Sequence, residues 1–306
     1  MVLNKSGFLT CVGIFFLAAM FTGNIAHGKE SKESQVAPIS DPNARSWQII
    51  DEAMANKDPD KRREIVIAAS LGGAYPKVFN FLNKALDDKK VEVRVAACSS
   101  LASFKDPGAI DPLKKAMKDP VPEVFFCAAQ ALWAQGDPMG EKVLLEVLGK
   151  EKGTTSGFLT VKQREAMASF NSTGRFFSTL FRLGIRFAPV PGLAMGMTSL
   201  QSLAADHKAG GQVLAALALA KGDDPESLQA LVKALGDKDD LVRAAAVHSL
   251  AMRNDPSVQN ALVPLLDDKS FRVQDRAAVA YLRLGKVAEG QAKAATTSAV
   301  STSNKK

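Results

Sequence analysis

Two stretches of the sequence decide its fold: residues 88–101, DKKVEVRVAACSSL, and residues 237–250, DKDDLVRAAAVHSL. Each begins in an aspartate-containing turn and continues with Val-Arg, an alanine pair and a leucine at the same spacing. Apolar residues at intervals of three and four predict a helix with one buried face. Because small alanines allow helices to approach closely, both stretches predict the second helix of a packed helical hairpin.

The same hairpin recurs along the chain with a period of 31 residues. Leucines of the first helices follow this period in two series: Leu82, Leu113 and Leu144, then Leu200, Leu231 and Leu262. Asp-Pro pairs precede several first helices, where aspartate caps a helix and proline suits its first turn: Asp106-Pro107, Asp137-Pro138, Asp224-Pro225 and Asp255-Pro256. A single hairpin cannot bury its apolar face, so the units are expected to stack on one another.

This unit resembles the short HEAT-like repeat named after phycobilisome lyases, over residues 58–285. The motif arginine of that repeat is present as Arg94 and Arg243, whereas Phe125 and Gln274 replace it in two other units. The resemblance implies an all-α fold, a right-handed α-solenoid, with about seven HEAT-like hairpins over residues 43–285 and one inserted amphipathic helix. It also implies protein recognition, so we expect a scaffold or adaptor that binds a protein partner.

Composition and charge narrow the classes of function. With 46% hydrophobic but only 7% aromatic residues, the chain favours helix-on-helix packing over an aromatic-rich β-sandwich. The net charge is +7, yet residues 29–152 contain equal numbers of acidic and basic side chains. Nucleic-acid-binding proteins usually cluster Lys and Arg along one face of the folded body. We therefore expect no nucleic-acid partner.

The two ends of the sequence are expected to lie outside the repeats. Residues 1–28 have the pattern of a signal peptide, with Lys5, an apolar stretch over 8–21 and a small-residue cleavage site ending at Gly28. That apolar stretch is shorter than the roughly 20 residues that span a bilayer. We therefore expect cleavage after Gly28 and export, either to a periplasm or to the medium. Residues 29–42 are expected to form a linker and residues 286–306 a disordered tail.

An insertion breaks the period near residues 172–191 and contains no acidic residue. Helical projection places three arginines on one face and apolar residues on the opposite face. The candidate partner-binding residues of this basic amphipathic insert are Arg175, Phe177, Phe181, Arg182, Ile185 and Arg186. Three interpretations stay open: the insert covers the joint between two blocks of repeats, docks into a partner or a second copy, or makes weak contact with an anionic membrane surface.

A second candidate surface lies on the second helices, which generally line the concave side of such stacks. Polar residues near the starts of these helices are expected to face a partner: Glu92, Glu123 and Arg272, together with Lys90, Pro122, Asp240 and Ser270. For Arg94 and Arg243 we favour a structural role, in which each pairs with a turn aspartate of the neighbouring unit, because both occupy the same repeat position.

The sequence offers little catalytic chemistry. HEAT-like proteins related to deoxyhypusine hydroxylase bind di-iron through His-Glu pairs, but here Lys208 follows His207 and Ser249 follows His248. Cys98 and Cys127 fall in the alanine-rich parts of adjacent second helices, as buried free thiols or, in an exported protein, as a disulfide. We expect no cofactor, no metal and no enzymatic activity. A bilin-lyase-like or other HEAT-repeat enzyme is the alternative, as is a peripheral module that binds a membrane surface.

Overall fold

The computed structural model describes residues 39–72, 75–104, 106–149, 195–205, 207–222 and 224–303, and the regular elements of this part are helical. The α-helices are α1 Pro42–Ala55, α2 Pro59–Ala69, α3 Pro76–Ala85, α4 Val91–Ala102, α5 Ile110–Ala116, α6 Pro122–Ala134, α7 Pro138–Gly149, α8 Met195–Ala204, α9 Gly210–Ala218, α10 Pro225–Ala234, α11 Asp240–Arg253 and α12 Phe271–Ser303. Short 3₁₀ turns occur at Pro107–Ala109 and Leu219–Lys221, and a longer 3₁₀ helix spans Pro256–Asp267.

The Asp-Pro pairs begin helices as the sequence predicts. The carboxylate of Asp224 accepts from the backbone N–H of Ser227 at 2.7 Å, and that of Asp255 accepts from the N–H of Ser257 at 2.9 Å. Asp41 caps α1 in the same way, 3.0 Å from the backbone N of Asn43. These bonds satisfy N–H groups that a helix start leaves without a partner.

The helices pair into hairpins whose second helices lie side by side. Their order in the stack is α9, α11, α12, α2, α4 and α6. The C-terminal block, residues 195–303, therefore precedes the N-terminal block, residues 42–149. The last repeat of the sequence packs against the first, so that α1 and α2 lie in the middle of the described stack rather than at its end.

We call the contact of α1 and α2 with α12 and the 3₁₀ helix 256–267 the seam. Tyr75 donates its hydroxyl to the carbonyl of Leu282 at 2.8 Å, and Arg283 donates to the carbonyl of Leu71 at 2.7 Å. An ion pair joins Arg45 of α1 to Asp267 at 2.8 Å. These contacts join residues more than 200 positions apart, so the seam closes a long loop of chain.

The core consists of the leucine columns and the alanines between them. Leu82, Leu113, Leu200, Leu231 and Leu262 are all buried, and Leu144 is half-buried. One apolar cluster crosses the seam, since it contains both Ile65 of α2 and Val273 of α12. The prediction of an all-α solenoid of helical hairpins is confirmed.

A ladder of ion pairs joins successive turns of the stack. Arg94 binds the carboxylate of Asp119 at 2.8 Å, and Arg243 binds Asp268 at 2.8 Å. In each case the aspartate belongs to the turn of the next unit, as expected for the motif arginine. Arg62 makes the equivalent bond to Asp88 at 2.8 Å. The sequence pattern does not reveal this arginine, because the first unit is one residue out of register with the others.

The C-terminal tail differs from the expectation. Helix α12 continues beyond the last buried residue, Leu284, as far as Ser303, so the prediction of a disordered tail over 286–306 is wrong for residues 286–303. The extension is rich in alanine, which has the highest intrinsic helix propensity. An apolar period is therefore not required for helix formation there.

Candidate functional site

The second helices have an inner face that points away from their partner first helices. On α4 this face carries Glu92 and Ser99, which lie opposite the buried Leu101 on the helical projection. The equivalent positions on α11 are Leu241 and His248, and both are buried. The inner face is thus polar and accessible on α4 but covered on α11, and on α2 the residue equivalent to Ser99, Ile67, is also buried.

Helix α8 provides this cover. It contacts α9, its partner in the hairpin, but also α11 and α2, which a first helix on the outer side could not reach. Ser199 of α8 lies 3.4 Å from the guanidinium of Arg276 on α12, and Leu200 is fully buried. The inner face of the C-terminal block therefore contributes to the core.

The inner face of α4 and α6, here called the α4–α6 face, consists of Glu92, Ser99, Glu123, Phe126, Gln130 and Trp133. Trp133 is 49% exposed, which is high for so large an apolar side chain. The other residues of the face are half-buried. Neither Glu92 nor Glu123 forms a salt bridge with another described residue. The α4–α6 face therefore combines an accessible indole ring with two carboxylates that have no ion pair among the described residues.

The structure brings Glu92 and Glu123 together on adjacent helices but places Arg272 elsewhere. Arg272 lies on α12, with α2 between it and α4. Its guanidinium binds Asp240 at 3.2 Å, and the hydroxyl of Ser270 binds the same carboxylate at 2.8 Å. Arg272 thus belongs to an intramolecular network and not to the α4–α6 face.

The residues predicted from the insert lie outside the described residues. These are Arg175, Phe177, Phe181, Arg182, Ile185 and Arg186. The expected signal peptide, residues 1–28, and most of the expected linker also lie there. Their assignments stay predictions.

A buried charged cluster lies at the seam. Arg276 of α12 is fully buried and forms an ion pair with Glu64 of α2, which is itself buried. Asp275 is buried beside them, and burial together with the nearby Glu64 carboxylate raises its pKa well above the usual range. At the equivalent position the other described second helices carry uncharged residues: Ala96 in α4, Cys127 in α6, Leu214 in α9 and Ala245 in α11. The charged pair is therefore specific to the seam.

His248 is fully buried near this charged cluster. Neither of its ring nitrogens has a hydrogen-bonding partner among the residues that the structure describes. Burial lowers the pKa of His248 to about 3, with a further contribution from the positive charges of Arg276 and Arg283. The imidazole is therefore neutral at physiological pH.

His248 predicts a measurable loss of stability in acid. The unfolded chain binds a proton near pH 6.5, whereas the folded chain does so only near pH 3, so stability falls as the pH drops from 6.5 towards 3. Val279 fills the equivalent position of α12, which makes His248→Val a conservative replacement. We expect the stability advantage of this variant over wild type, measured by urea unfolding, to grow by about 2 kcal/mol between pH 7.5 and pH 5. An advantage that is independent of pH would show that His248 is accessible to protons in the folded state.

The described residues contain neither a metal-binding cluster nor a membrane-spanning helix. Their His, Cys, Asp and Glu side chains form no group of three or more that could hold a metal ion. None of the helices described is both long enough and apolar enough to cross a bilayer. The α4–α6 face is accordingly the strongest candidate site in this part of the chain.

Comparison with known proteins agrees with the hairpin stack. The family model for HEAT repeats matches residues 48–133 and 198–283, which together make up more than half of the chain. The chain belongs to the HEAT-repeat family. The two matches correspond to the two blocks on either side of the insert, and both consist of HEAT repeats. No curated protein is a significant sequence match to the chain.

Several solved structures are similar to this HEAT-repeat chain at low identity. Human deoxyhypusine hydroxylase in complex with glycerol is 18% identical, with 79% of this chain and 98% of that chain covered and a TM-score of 0.30. A designed armadillo repeat protein is 16% identical, with 80% and 100% covered and a TM-score of 0.22. A computationally designed armadillo repeat protein for modular peptide recognition is 19% identical, with 79% and 99% covered and a TM-score of 0.20. With TM-scores this low, none of them bears on the function of this chain.

Sequence reasoning found the two glutamates of the α4–α6 face but missed the residues that complete it. Phe126, Gln130 and Trp133 follow Glu123 at intervals of three, four and three residues. That spacing places all four on one side of a helix. Extension of the helical period from Glu123 would therefore have revealed the rest of the face.

Proposed function

We propose that this HEAT-repeat protein is a non-catalytic scaffold that binds a protein partner through the α4–α6 face. The observation that carries this proposal is the difference between the two blocks. Helix α8 covers the inner face of the C-terminal block, whereas the inner face of the N-terminal block presents Glu92, Glu123 and the half-exposed Trp133. Repeat proteins of this family commonly act as scaffolds for protein interactions.

The chemistry of the α4–α6 face indicates what the partner presents. Two carboxylates on neighbouring helices attract lysine or arginine side chains and discriminate against acidic partners. An exposed indole offers a large apolar contact and a surface for cation–π interaction, and tryptophan is enriched among the residues that dominate binding energy. A basic segment with an apolar anchor therefore fits this face.

The basic amphipathic insert contributes to the proposal as a second contact. Its apolar side chains Phe177, Phe181 and Ile185 would supply docking contacts, and Arg175, Arg182 and Arg186 would add an electrostatic contribution that salt weakens. This part of the proposal rests on the sequence pattern alone, as does weak contact of the insert with an anionic membrane. The α4–α6 face does not depend on either.

Charge reversal on the α4–α6 face tests the proposal. We expect Glu92→Lys combined with Glu123→Lys to reduce capture of a partner from envelope extract at least tenfold, because two attractive charges become repulsive. The melting temperature should change little, since neither carboxylate has an ion pair within the described residues. Glu226→Lys, an exposed charge reversal on the first helix α10, is the matched control and should leave capture unchanged. Equal loss in the control, or full capture by the double variant, would remove the assignment to this face.

Deletion of residues 172–189 separates the roles of the insert. A docking role predicts an unchanged melting temperature and weaker capture, and Phe177→Asp with Phe181→Asp should reproduce the loss. Flotation with vesicles that contain anionic phospholipid tests the membrane role, since such binding should fade with added salt. A lower melting temperature with unchanged capture would make the insert a structural element.

We also propose that the protein works outside the cytoplasm. The support is the signal-peptide pattern of residues 1–28, and the proposal predicts a mature N-terminus at Lys29. Peptide mapping of the protein isolated from its host checks this prediction. An intact Met1 on most of the protein would contradict export by cleavage.

A further inference from the structure

We propose that Cys98 and Cys127 form a redox pair that a hydroperoxide converts into a disulfide between α4 and α6. The two residues lie on adjacent second helices, which pack directly against each other. Both thiols are free and buried in the present state. The inference concerns oxidation chemistry and does not rest on the proposed binding function.

The geometry places the two sulfur atoms against each other. On α4, Cys98 projects towards the next unit, and on α6, Cys127 projects towards the preceding one. The thiols of Cys98 and Cys127 are close enough for each to shift the pKa of the other. The hydroxyl of Ser99 is 3.1 Å from the Cys127 sulfur, and the Cys127 thiol donates a hydrogen bond to the carbonyl of Val95 at 3.6 Å. The Cys127 sulfur is therefore surrounded by polar groups of the opposite helix.

This arrangement makes the two cysteines chemically unequal. Interactions with Cys98 and Ser99 lower the pKa of Cys127. The pKa of Cys98 is raised well above its ordinary value, first through its interaction with Cys127 and then because it is buried. Since the thiolate is the reactive form, Cys127 is the nucleophile and Cys98 the resolving cysteine. Cys127 is also the less deeply buried of the two, with 4% of its surface exposed against none for Cys98.

The oxidation proceeds in two steps with hydrogen peroxide as the oxidant. The Cys127 thiolate attacks one peroxide oxygen, an S–O bond forms, the O–O bond breaks and hydroxide leaves, which yields a sulfenic acid. The sulfur of Cys98 then attacks the Cys127 sulfur, the S–S bond forms and the S–O bond breaks, and the departing hydroxide takes the Cys98 proton as water. In total, two thiols are oxidised to one disulfide and one peroxide is reduced to two molecules of water.

The position of the bond gives it a structural consequence. Val95 and Ser99, which contact the Cys127 sulfur, lie on the inner side of α4, and Ser99 belongs to the α4–α6 face. A disulfide at this place would fix α4 to α6 directly beneath that face. It would also restrict the unfolded chain, as disulfides generally do.

Mass spectrometry of the full-length chain tests the proposal. The variant Cys11→Ser serves as the parent protein, so that Cys98 and Cys127 are the only cysteines counted. Before oxidation, both cysteines of the unfolded protein should react with iodoacetamide. After treatment with hydrogen peroxide, neither should react, the mass should be lower by two hydrogen atoms, and dithiothreitol should restore both thiols. The melting temperature should rise by roughly 5 to 10 °C on oxidation and return on reduction.

Single replacements distinguish the roles of the two cysteines. In Cys98→Ala, dimedone should trap a sulfenic acid at Cys127, because the resolving thiol is absent. In Cys127→Ala, Cys98 should stay reactive towards iodoacetamide after the same peroxide treatment. Two alkylated cysteines in the peroxide-treated parent protein would overturn the proposal. So would a disulfide between two chains, or a loss of thiols that dithiothreitol does not reverse.

Discussion

Replacement of Arg276 by alanine is expected to lower the free energy of unfolding by about 3 kcal/mol, because the buried carboxylate of Glu64 loses its closest partner and keeps Arg272, whose Nε lies 3.8 Å away. Arg276 has no exposed surface, and its ion pair with Glu64 joins the last repeat to the first. The variant also leaves Asp275 buried beside Glu64 with less positive charge nearby. Urea unfolding at neutral pH measures the effect.

Two further variants establish that the loss belongs to the buried pair. Arg45→Ala removes an ion pair across the same seam, but both partners are more than a quarter exposed, so the expected loss is below about 1 kcal/mol. The double variant Glu64→Ala with Arg276→Ala places alanine at both positions, as α4 and α11 have there. It should be more stable than Arg276→Ala alone. Equal losses for Arg45→Ala and Arg276→Ala would mean that the charged cluster does not hold the seam.

Truncation of a core leucine is expected to lower the free energy of unfolding by a similar amount. Leu113 in α5 and Leu231 in α10 each have at most 1% of their surface exposed, and either change to alanine should cost about 2 to 5 kcal/mol through lost apolar contact and the cavity that remains. The measurement is again the free energy of unfolding in urea. Because one residue lies in each block, the pair tests both halves of the stack.

Leu214→Ala is the matched control for these core variants. Leu214 lies on α9 and is 47% exposed, so the same chemical change should cost less than about 0.5 kcal/mol. Losses below this value at both Leu113 and Leu231 would contradict the placement of the two leucine columns in the core.

The local architecture could be predicted from the sequence because each hairpin is determined by contacts between residues close together in the chain. The leucine columns follow the helical period, and the Asp-Pro pairs cap the helices that they precede. The bonds of Arg94 and Arg243 to the next turn followed from their shared repeat position. All of these features depend on contacts within one unit or between consecutive units.

The order of the stack could not be predicted in the same way. A period shows that units stack on their neighbours, but it contains no information about contacts between the first unit and the last. Those contacts depend on individual side chains, such as Tyr75 bonded to Leu282 and Arg276 paired with Glu64. The charged pair departs from the repeat pattern, so it appears in the sequence only as two irregular positions.

The candidate site was only partly predictable for a related reason. Glu92 and Glu123 stand at the starts of second helices, where exposure follows from the repeat. Arg272 occupies the equivalent place on α12, but its guanidinium is bonded to the carboxylate of Asp240. The same carboxylate accepts a hydrogen bond from the hydroxyl of Ser270. Whether an inner face is open depends on the path of α8, which the period does not determine.

Fluorescence of Trp133 reports whether the α4–α6 face binds the partner. The chain contains two tryptophans, so Trp47→Phe leaves Trp133 as the only reporter. Titration with the captured partner should shift the Trp133 emission to shorter wavelength and protect it from quenching by acrylamide, because the indole leaves water on binding. A partner that binds with full affinity while the emission and the quenching of Trp133 stay unchanged would contradict binding at this face.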